Sequence, residues 1–481
     1  MTNCKLLNGK VIEGERELPT VSTDVVVAGA GVGGFSAAVA AARANAKVTL
    51  VDSHSFIGGV ATQAMMATFV ATNHADGISR ELIDELAKMG GAPSYDTPRR
   101  VGNIPFDPET FKTVALEMAL NAGVKILFYT QVCEPVIING EVKGVIIENK
   151  AGRSVILAKQ TIDCTSDADL VYRAGGEVNF GRQGDNKTRP LTLLFRLGNV
   201  DVYKMIDYVE KNPEELQPQY RGAKPLVFNG NEEVVPRISG FYKLVQEAKA
   251  KGELYDEIHY FRLENLQVNR RIAYCNTARA YYLNGTNPED LTQAEIILRK
   301  QILKIVAFAR KYIPGCENSF LIDISSSLGV RETRRIVGEY TVSEDDAYGD
   351  CKFADAFMIV KSSLVKRPRP IELDVHMPEP IEGSEKDWLE RYPERVPREE
   401  HTYQLPYRCL IPKGIKNLLV AGKIIGVCHM LDGFTRNMIP CMRFGQTAGT
   451  AAALAARKEV TPRALDFSEI KAELTRQGLH F

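Results

Sequence analysis

The most constraining feature of this chain is a glycine-rich turn between an apolar strand and a helix of small residues. Residues 24–34 read Asp-Val-Val-Val-Ala-Gly-Ala-Gly-Val-Gly-Gly, which places Gly29, Gly31 and Gly34 in the spacing Gly-x-Gly-x-x-Gly. The first glycine permits a tight turn, the second lets backbone N–H groups approach a pyrophosphate, and the third lets helix and strand pack closely. Asp52 ends the next predicted strand 18 residues after Gly34, where a carboxylate accepts ribose hydroxyls. The sequence therefore predicts a dinucleotide-binding unit.

Composition narrows the class of protein further. At 481 residues the chain exceeds the roughly 250–300 residues at which a single core stops growing, so we expect two or three packed lobes. Its 60 basic and 60 acidic side chains balance, so no net field favours nucleic acid or an anionic membrane. No segment reaches the ~18 apolar residues of a membrane span, and the first residues lack the apolar segment of a signal peptide. We expect a cytoplasmic protein with no nucleic-acid partner and no membrane span.

The positions of cysteine and histidine argue against metal chemistry. The nine cysteines include no Cys-x-x-Cys pair, and the seven histidines include no His-x-x-x-His pair. Iron–sulfur clusters and zinc sites draw on close spacings of this kind. We therefore expect no metal site, and most cysteines are interpreted as small buried side chains.

Helical periodicity and composition suggest an α/β domain interrupted by a second lobe. Residues 1–20 look like an irregular N-terminal arm, residues 21–185 with 400–481 form the nucleotide-binding domain, and residues 186–399, richer in Pro, Tyr and charge, form a substrate-binding lobe of mixed α+β structure. Helices are predicted at 35–46, 78–89, 107–122, 201–212, 241–251, 292–311 and 441–456.

Hairpin signals predict an antiparallel insertion within the parallel sheet. Strands are expected at 124–129, 131–138, 142–149, 154–158 and 159–163. Turns of the hairpin type stand at Asn139-Gly140 and Ala151-Gly152, and we predict a three-stranded antiparallel insertion. Residues 159–163 are expected to return to the parallel sheet as a buried strand.

The C-terminal segment favours a flavin over a nicotinamide cofactor. A predicted strand at 417–421 ends in Gly422, and a 17-residue loop leads to Pro440 and a helix made almost wholly of small residues. Such a helix can pack its backbone closely, and its N-terminus offers unpaired N–H groups. Those groups stabilise the negative charge of a reduced flavin. A simple closing helix is the alternative.

Several separated motifs together resemble a known family. They are Gly29–Gly34 with Asp52, Gly58-Gly59-Val-Ala-Thr62, Thr161-Ile-Asp163-Cys-Thr165-Ser-Asp167, Asn276-Thr-Ala-Arg279, Gly329-Val-Arg331-Glu-Thr-Arg334-Arg335 and the return over 417–456. In this order they resemble the two-domain FAD-dependent oxidoreductases of the glutathione-reductase/fumarate-reductase type. The resemblance covers residues 23–481. It implies a Rossmann-like FAD-binding domain with an antiparallel β insertion.

The resemblance also implies which residues contact FAD. By position these are Gly29, Gly31, Gly33, Gly34, Asp52, Ser53, Gly58, Gly59, Thr62, Val132, Thr165, Ser166, Asp167, Gly422, Pro440, Gly445 and Gln446. The family usually has glycine where this chain has Ser166, and serine tolerates a positive φ poorly. The geometry of that turn is therefore open.

Few residues are needed for the chemistry of a flavin enzyme, namely a substrate-binding group and one proton donor or acceptor. His429 and Arg436 lie in the loop that the resemblance places at the reactive face of the flavin. His429 is a candidate acid/base, and Arg436 a candidate clamp for a carboxylate. A structural loop histidine is the alternative for His429. We name His429, Arg436 and Arg331 as catalytic candidates.

Substrate-binding candidates come from the second lobe. Asn276 and Arg279 match the short Asn-x-x-Arg signature of the family, and Arg331 follows a predicted strand end, where it would suit an anionic or carbonyl substrate. For Arg334 and Arg335 a solvated helix face is favoured. His376, on an alternating strand at 371–376, is expected to face water.

Cofactor attachment is expected to be non-covalent. Some flavoproteins of the fumarate-reductase type bind FAD through a histidine upstream of the glycine pair, but the spacing from His54 to Gly58 is shorter than that pattern.

The combined patterns predict an FAD-dependent dehydrogenase or reductase that transfers a hydride between flavin N5 and a small organic substrate. The electron acceptor or donor is unknown, and a homo-oligomer is left open. Alternatives are a nicotinamide-only dehydrogenase, a lipid-chain reductase of the geranylgeranyl-reductase type, and a flavoprotein of RNA modification. The polar, charged second lobe argues against a lipid tunnel, and the absence of a basic surface argues against RNA.

Overall fold

A computed structural model describes residues 4–7, 10–98, 102–217, 220–222, 224–228, 232–349, 351–364 and 399–481. Its strands, in chain order, are β1 (Cys4–Leu7), β2 (Lys10–Glu13), β3 (Arg16–Leu18), β4 (Thr20–Ala28), β5 (Val48–Val51), β6 (Thr68–Phe69), β7 (Ile104–Pro105), β8 (Lys125–Leu127), β9 (Gln131–Ile138), β10 (Glu141–Asn149), β11 (Gly152–Asp163), β12 (Val178–Phe180), β13 (Phe195–Gly198), β14 (Leu226–Phe228), β15 (Glu232–Gly240), β16 (Phe261–Gln267), β17 (Ile272–Cys275), β18 (Phe320–Ile324), β19 (Arg334–Ile336), β20 (Ala356–Leu364), β21 (Glu399–Pro406) and β22 (Leu418–Val420). Its α-helices are α1 (Val32–Arg43), α2 (Gly77–Lys88), α3 (Pro108–Asn121), α4 (Asp169–Arg173), α5 (Val202–Lys211), α6 (Tyr242–Ala250), α7 (Pro288–Tyr312), α8 (Glu344–Tyr348), α9 (His429–Thr435), α10 (Met438–Lys458) and α11 (Phe467–Arg476).

The larger sheet combines a parallel core with an antiparallel edge, as the sequence predicts. Its order is β8-β5-β4-β11-β10-β9, and β22 also pairs with β11. Strands β8, β5, β4, β11 and β22 run parallel, whereas β9, β10 and the first half of β11 run antiparallel. The carboxyl ends of β4, β5 and β22 therefore meet at one edge of the sheet, where ligands bind in open α/β folds.

One detail of the predicted insertion is wrong. The segments at 154–158 and 159–163 form the single strand β11 rather than two strands. The first half of β11 pairs antiparallel with β10 and its last three residues pair with β22, while β4 runs along much of its length. Because the apolar pattern is unbroken where β11 changes its pairing partner, the sequence does not show that these two segments form one strand.

The N-terminal segment is also not the irregular arm that was expected. Strands β1, β2 and β3 form a small antiparallel sheet, and β4 begins already at Thr20. Val11 and Leu18 are buried against Val136, Ile146 and Val155 of the insertion. Val11 and Leu18 are too few for a periodic apolar pattern to be detected in the sequence.

Two helices of small residues pack against each other under the nucleotide turn. Gly445 and Gly449 of α10 face α1, since a Cβ atom on them would lie 2.0 Å from the Gly33 oxygen and 2.1 Å from the Ala37 oxygen. The alanine and glycine content of α10 thus serves a close helix–helix contact as well as contact with the sheet. The predicted 441–456 helix begins three residues earlier, at Met438.

The second lobe is built on its own six-stranded sheet, in the order β14-β15-β16-β17-β13-β18. Helices α5, α6 and α7 pack on it, with a core that includes Phe241, Phe261 and Phe308. Helix α7 begins at Pro288 after the N-cap Asn287, earlier than the predicted 292. The lobe core is separate from the core under the larger sheet.

Part of the predicted lobe packs with the larger domain. Ile336, Phe357 and Val360 belong to the same core cluster as α1 and α10. Arg334 and Arg335 lie on β19 rather than on the expected helix, because β19 pairs with β12. The predicted strand at 371–376, with His376, lies outside the described residues.

Candidate active site

The glycine turn has the geometry that its spacing predicts. Gly29 has φ +103°, and a Cβ atom there would lie 2.4 Å from the Cys164 oxygen. A Cβ on Gly34 would lie 1.8 Å from the Gly29 oxygen, so helix and turn pack without room for a side chain. At Gly31 a Cβ would meet no atom within 4 Å. Gly31 is therefore the position where the bare backbone faces open space, at the N-terminus of α1.

Asp52, at the end of β5, is tied to this turn. Its Oδ2 accepts a hydrogen bond from Ala30 N at 2.6 Å, and its Oδ1 accepts one from His54 N at 2.8 Å. Burial raises the pKa of Asp52, but the hydrogen bonds from His54 and Ala30 outweigh it, so the pKa lies below its usual value. Asp52 is a fixed negative charge beside the turn, with Ser53 exposed next to it.

The glycine pair lies directly beside Gly31. Gly31 and Gly58 form a parallel β-bridge, and a Cβ on Gly59 would lie 3.0 Å from the Gly31 Cα. Thr62 donates from its hydroxyl to the Ile57 oxygen and holds the loop. Gly59 lines the cavity described below, whereas Gly58 and Thr62 stand behind it.

The turn after β11 is organised by the buried carboxylate of Asp163. Its Oδ1 accepts from the N–H and hydroxyl of Thr165, and its Oδ2 accepts from Leu170 N and Val171 N. Burial outweighs these bonds and raises the pKa of Asp163 to about 6. This makes Thr165 a support of the turn rather than a part of the cavity wall.

Ser166 does adopt the conformation for which the family uses glycine. Its φ is +74°. Lys423, the residue after Gly422, donates from Nζ to the Ser166 oxygen and to Asp167 Oδ1 at 2.9 Å. Thr333 also donates to Asp167. These contacts hold a serine in a backbone region that it rarely adopts.

The two halves of the predicted cofactor site meet. A Cβ on Gly33 would lie 3.1 Å from Gly422 N and 3.4 Å from the Cys441 oxygen. Gly31, Gly422 and Met438 all line one cavity of about 550 Å³. A Cβ on Gly422, whose φ is +94°, would meet no atom within 4 Å. Two stretches almost four hundred residues apart thus border the same space.

Ten of the predicted cofactor residues do not line that cavity, and four of them lie in α10 or in the antiparallel insertion. Gln446 is buried between helices, where its Oε1 accepts from Ile78 N and its Nε2 donates to the Gln477 oxygen. Gly445 faces α1. Pro440 lies in the first turn of α10, between Met438 and Cys441, which line the cavity, but does not line it itself. Val132 packs in a small core on the opposite side of the sheet. For Gln446 and Gly445 the structure replaces the expected flavin contact with a packing role.

The second lobe supplies the opposite wall with arginines. Arg237, Arg262, Arg279 and Arg331 line the cavity from this lobe, and Arg436, which follows α9, lines it from the larger domain. Arg237 and Arg262 share the buried carboxylate of Glu264, at 3.2 and 2.7 Å.

Arg279 and Arg331 lack such a partner. Within the described ranges, neither forms an ion pair with a carboxylate. Arg331 donates to the Pro190 oxygen at 3.2 Å and lies 3.5 Å from Asn276 Oδ1. Nη1 of Arg279 is buried and makes no hydrogen bond to any residue that the structure describes. Burial and the like charges of Arg279 and Arg436 push the pKa of Arg331 well below its usual value, because no carboxylate among the described residues stabilises its charged form.

Of the two residues expected at the reactive face, one lines the cavity. Arg436 lines the cavity, with its Nε 3.8 Å from Asp432 Oδ2, and burial lowers its pKa to about 10. His429 does not line it. The His429 Nδ1 lies 2.7 Å from Oε1 of the buried Glu332, which also pairs with Arg335. The alternative interpretation, a structural histidine, describes this geometry.

Sequence reasoning missed a group of side chains that precede and follow the start of β16. His259, Tyr260 and Arg262 line the cavity, and Glu264 lies behind them. Tyr260, Arg262 and Glu264 alternate with the buried Phe261 and Leu263. This period of two was the available signal, and it marks a strand with one polar face.

Comparison with known proteins identifies the family. The family model described as FAD dependent oxidoreductase matches residues 24–474. The chain belongs to this family. It is an FAD-dependent oxidoreductase, and the nicotinamide-only alternative is set aside. No curated protein matches the chain, and within the described part no helix is both long and apolar enough to cross a membrane.

The chain is also distantly similar to several solved structures. A geranylgeranyl bacteriochlorophyll reductase-like protein from Thermoplasma acidophilum has 12% identity and a TM-score of 0.49, over 96% of this chain and 85% of that one. The myxobacterial chondrochloren halogenase has 11% identity and a TM-score of 0.49, over 95% of this chain and 79% of that one. A p-nitrophenol 4-monooxygenase from Pseudomonas putida has 11% identity and a TM-score of 0.47, over 95% of this chain and 89% of that one. None of these indicates the activity of this chain.

The residues present fit FAD. The open backbone at Gly31 lies at the N-terminus of a helix of 12 residues, which favours a diphosphate. Gly422 leaves a second bare stretch of backbone on the same cavity. The first site would hold the diphosphate and the second the ring, and no Cβ atom obstructs either.

Proposed function

We propose that this enzyme transfers a hydride between FAD and a small organic anion bound by Arg279, Arg331 and Asn276. The observation that carries the proposal is the pair of arginines without a carboxylate partner on the wall opposite Gly31 and Gly422. When bound, FAD supplies a two-electron donor and acceptor that exchanges a hydride with an organic molecule.

Charge favours an anion over a neutral substrate. A buried guanidinium without a partner is costly, and a carboxylate or similar anion removes this cost through charge-assisted hydrogen bonds. Asn276, whose Nδ2 donates to Glu264 Oε1 at 3.2 Å, presents its Oδ1 to Arg331 and fixes that side chain. Arg331 and Arg279 would orient the anion, and Arg436 would add a third cation from the cofactor side.

The same charges disfavour a lipid chain. A long alkyl substrate would cover five guanidinium groups with hydrocarbon and leave them without solvation. The cavity of about 550 Å³ is also shared with the cofactor, so the space left suits a small molecule. These features support a small anion over the lipid-chain alternative.

An anion titration tests the proposal. Oxalate added to the purified FAD-loaded protein should perturb the visible absorbance of the flavin in a saturable way. Arg331→Met should weaken the apparent affinity by roughly 10- to 100-fold, because a charged hydrogen bond contributes about 1.5–3 kcal/mol. Arg299→Met is the matched control, since Arg299 pairs with Glu295 on α7, outside the cavity. No perturbation by oxalate, or equal weakening in both variants, would refute the anion site.

A further inference from the structure

Tyr260 stands on the cavity wall with its phenolic oxygen held by an arginine. The residue directly precedes β16, and its Oη accepts a hydrogen bond from Arg279 Nη2 at 2.7 Å. The Arg279 guanidinium also lies 5.3 Å from the centre of the Tyr260 ring. This phenol is therefore fixed beside the arginine pair to which the proposed function assigns the substrate.

The phenol is surrounded by positive charge. Burial raises the pKa of Tyr260, but the cations of Arg279, Arg262 and Arg331 outweigh it and bring the pKa to about 7. Glu264 partly offsets Arg262. Tyr260 can therefore exchange a proton at neutral pH because the guanidinium groups around it stabilise its phenolate form.

The neighbouring titratable groups behave differently. Burial raises the pKa of Tyr281, which lines the same cavity. Burial lowers the pKa of His259 to about 4, so this ring is neutral at pH 7. Tyr220 accepts from Arg237 Nη1 at 2.6 Å and is not among the residues that line the cavity. Among these groups Tyr260 alone combines contact with the cavity and a pKa near neutrality.

We propose that Tyr260 is the catalytic acid/base of this enzyme and that Arg279 positions its oxygen. The inference rests on the proposed function, because the proton partner is the substrate bound beside Arg279. In the oxidative direction the O–H bond of a substrate hydroxyl breaks, its proton joins the phenolate oxygen, and the electron pair of that bond stays on the substrate oxygen. In the reductive direction the phenol returns the proton. Tyr260 thus replaces His429, the candidate from the sequence analysis, as the proposed acid/base.

A spectroscopic titration tests the ionisation without any turnover. In the FAD-loaded protein, the near-ultraviolet absorbance of tyrosinate should show one of the 18 tyrosines ionising with a midpoint of about 7. Tyr260→Phe should remove this transition and Tyr281→Phe should keep it. Arg279→Met should shift it toward the ordinary tyrosine pKa of about 10. A transition absent from the wild type, or still present in Tyr260→Phe, overturns the proposal.

Calorimetry of oxalate binding tests the coupling between Tyr260 and the anion. An anion beside the phenolate raises the pKa of Tyr260, so oxalate should bind with proton uptake just above pH 7 in the wild type and in Tyr281→Phe, and without it in Tyr260→Phe. Equal uptake in Tyr260→Phe overturns the proposal. If oxalate fails to bind at all, the anion site of the proposed function is wrong, and Tyr260 is then tested by the spectroscopic titration and by the turnover of Tyr260→Phe.

Turnover separates a catalytic from a structural role. With any hydroxy acid that reduces the flavin, Tyr260→Phe should slow flavin reduction by about 10²- to 10⁴-fold, the usual contribution of a general base, while the KM changes little. The slowed rate should also lose the dependence on pH near 7. A variant that reduces flavin at the wild-type rate refutes the catalytic role.

Discussion

Two glycines of the nucleotide turn make a matched pair that separates cofactor binding from folding. Gly31 has φ −61° and ψ 178°, which alanine adopts freely, and a new Cβ there would meet no atom within 4 Å. In Gly34→Ala the new Cβ would lie 1.8 Å from the Gly29 oxygen. The same small substitution, three residues apart, therefore has opposite structural consequences.

The magnitudes follow from these contacts. Gly31→Ala should leave the apoprotein within about 1 kcal/mol of wild type, because it clashes with nothing and strains no dihedral. It should weaken FAD binding by roughly 10- to 100-fold, since a methyl group at the close approach of the diphosphate removes a charged hydrogen bond worth about 1.5–3 kcal/mol. Gly34→Ala should destabilise the apoprotein by about 3 kcal/mol or more, since the clash is with backbone.

Two measurements on the same preparations distinguish the variants. FAD affinity is measured by fluorescence titration of the apoprotein, and stability by denaturant unfolding of the apoprotein, because bound FAD would itself raise the apparent stability. If Gly31→Ala bound FAD as tightly as the wild type, or destabilised the apoprotein as much as Gly34→Ala, the assignment of this turn to the diphosphate would be wrong.

Two other substitutions test the turn after β11. The pKa of Asp163 is raised from 3.8 to about 6, so its ionised form destabilises the fold above that range. Relative to Asp163→Asn, the wild type should gain about 2–3 kcal/mol of unfolding free energy as the pH falls from above 6 to below 3.8. Denaturant unfolding of both proteins across this pH range measures the gain. A difference in unfolding free energy that stays constant with pH contradicts the prediction. Ser166→Gly should relieve the positive φ and stabilise the FAD-loaded protein by about 1 kcal/mol, which thermal unfolding checks; a loss of stability would show that the serine side chain is needed.

The parts of the site that the sequence predicted are those fixed by local backbone geometry. Gly29, Gly31 and Gly34 could be assigned because each role depends on a turn, a close approach or a contact within a few residues. The second half, Gly422 with the start of α10, was recognisable because a strand that ends in glycine is followed by a helix of small residues, although the small residues farther along α10 pack against α1. That both halves line one cavity required the parallel register of β4, β11 and β22.

The parts that the sequence missed depend on contacts between distant segments. His429 follows the return strand as expected, yet Glu332 binds its ring away from the cavity, and no local pattern reports that pairing. Gln446 ends the helix stretch that the resemblance places against the flavin, but its side-chain Oε1 accepts from Ile78 N. Tyr260 acquires its chemistry from Arg279 and Arg331, which lie 19 and 71 positions farther along the chain.

The most direct test mixes the FAD-loaded protein anaerobically with matched pairs of small molecules, a carboxylate and its neutral analogue, such as glycolate and ethylene glycol. The oxidised protein is tested with hydroxy acids, and the photoreduced protein with keto and unsaturated acids. An arginine-lined substrate site predicts that the visible flavin band is bleached or restored by a carboxylate and not by its neutral partner. Reaction with the neutral analogues alone, or with long-chain lipids alone, would contradict it.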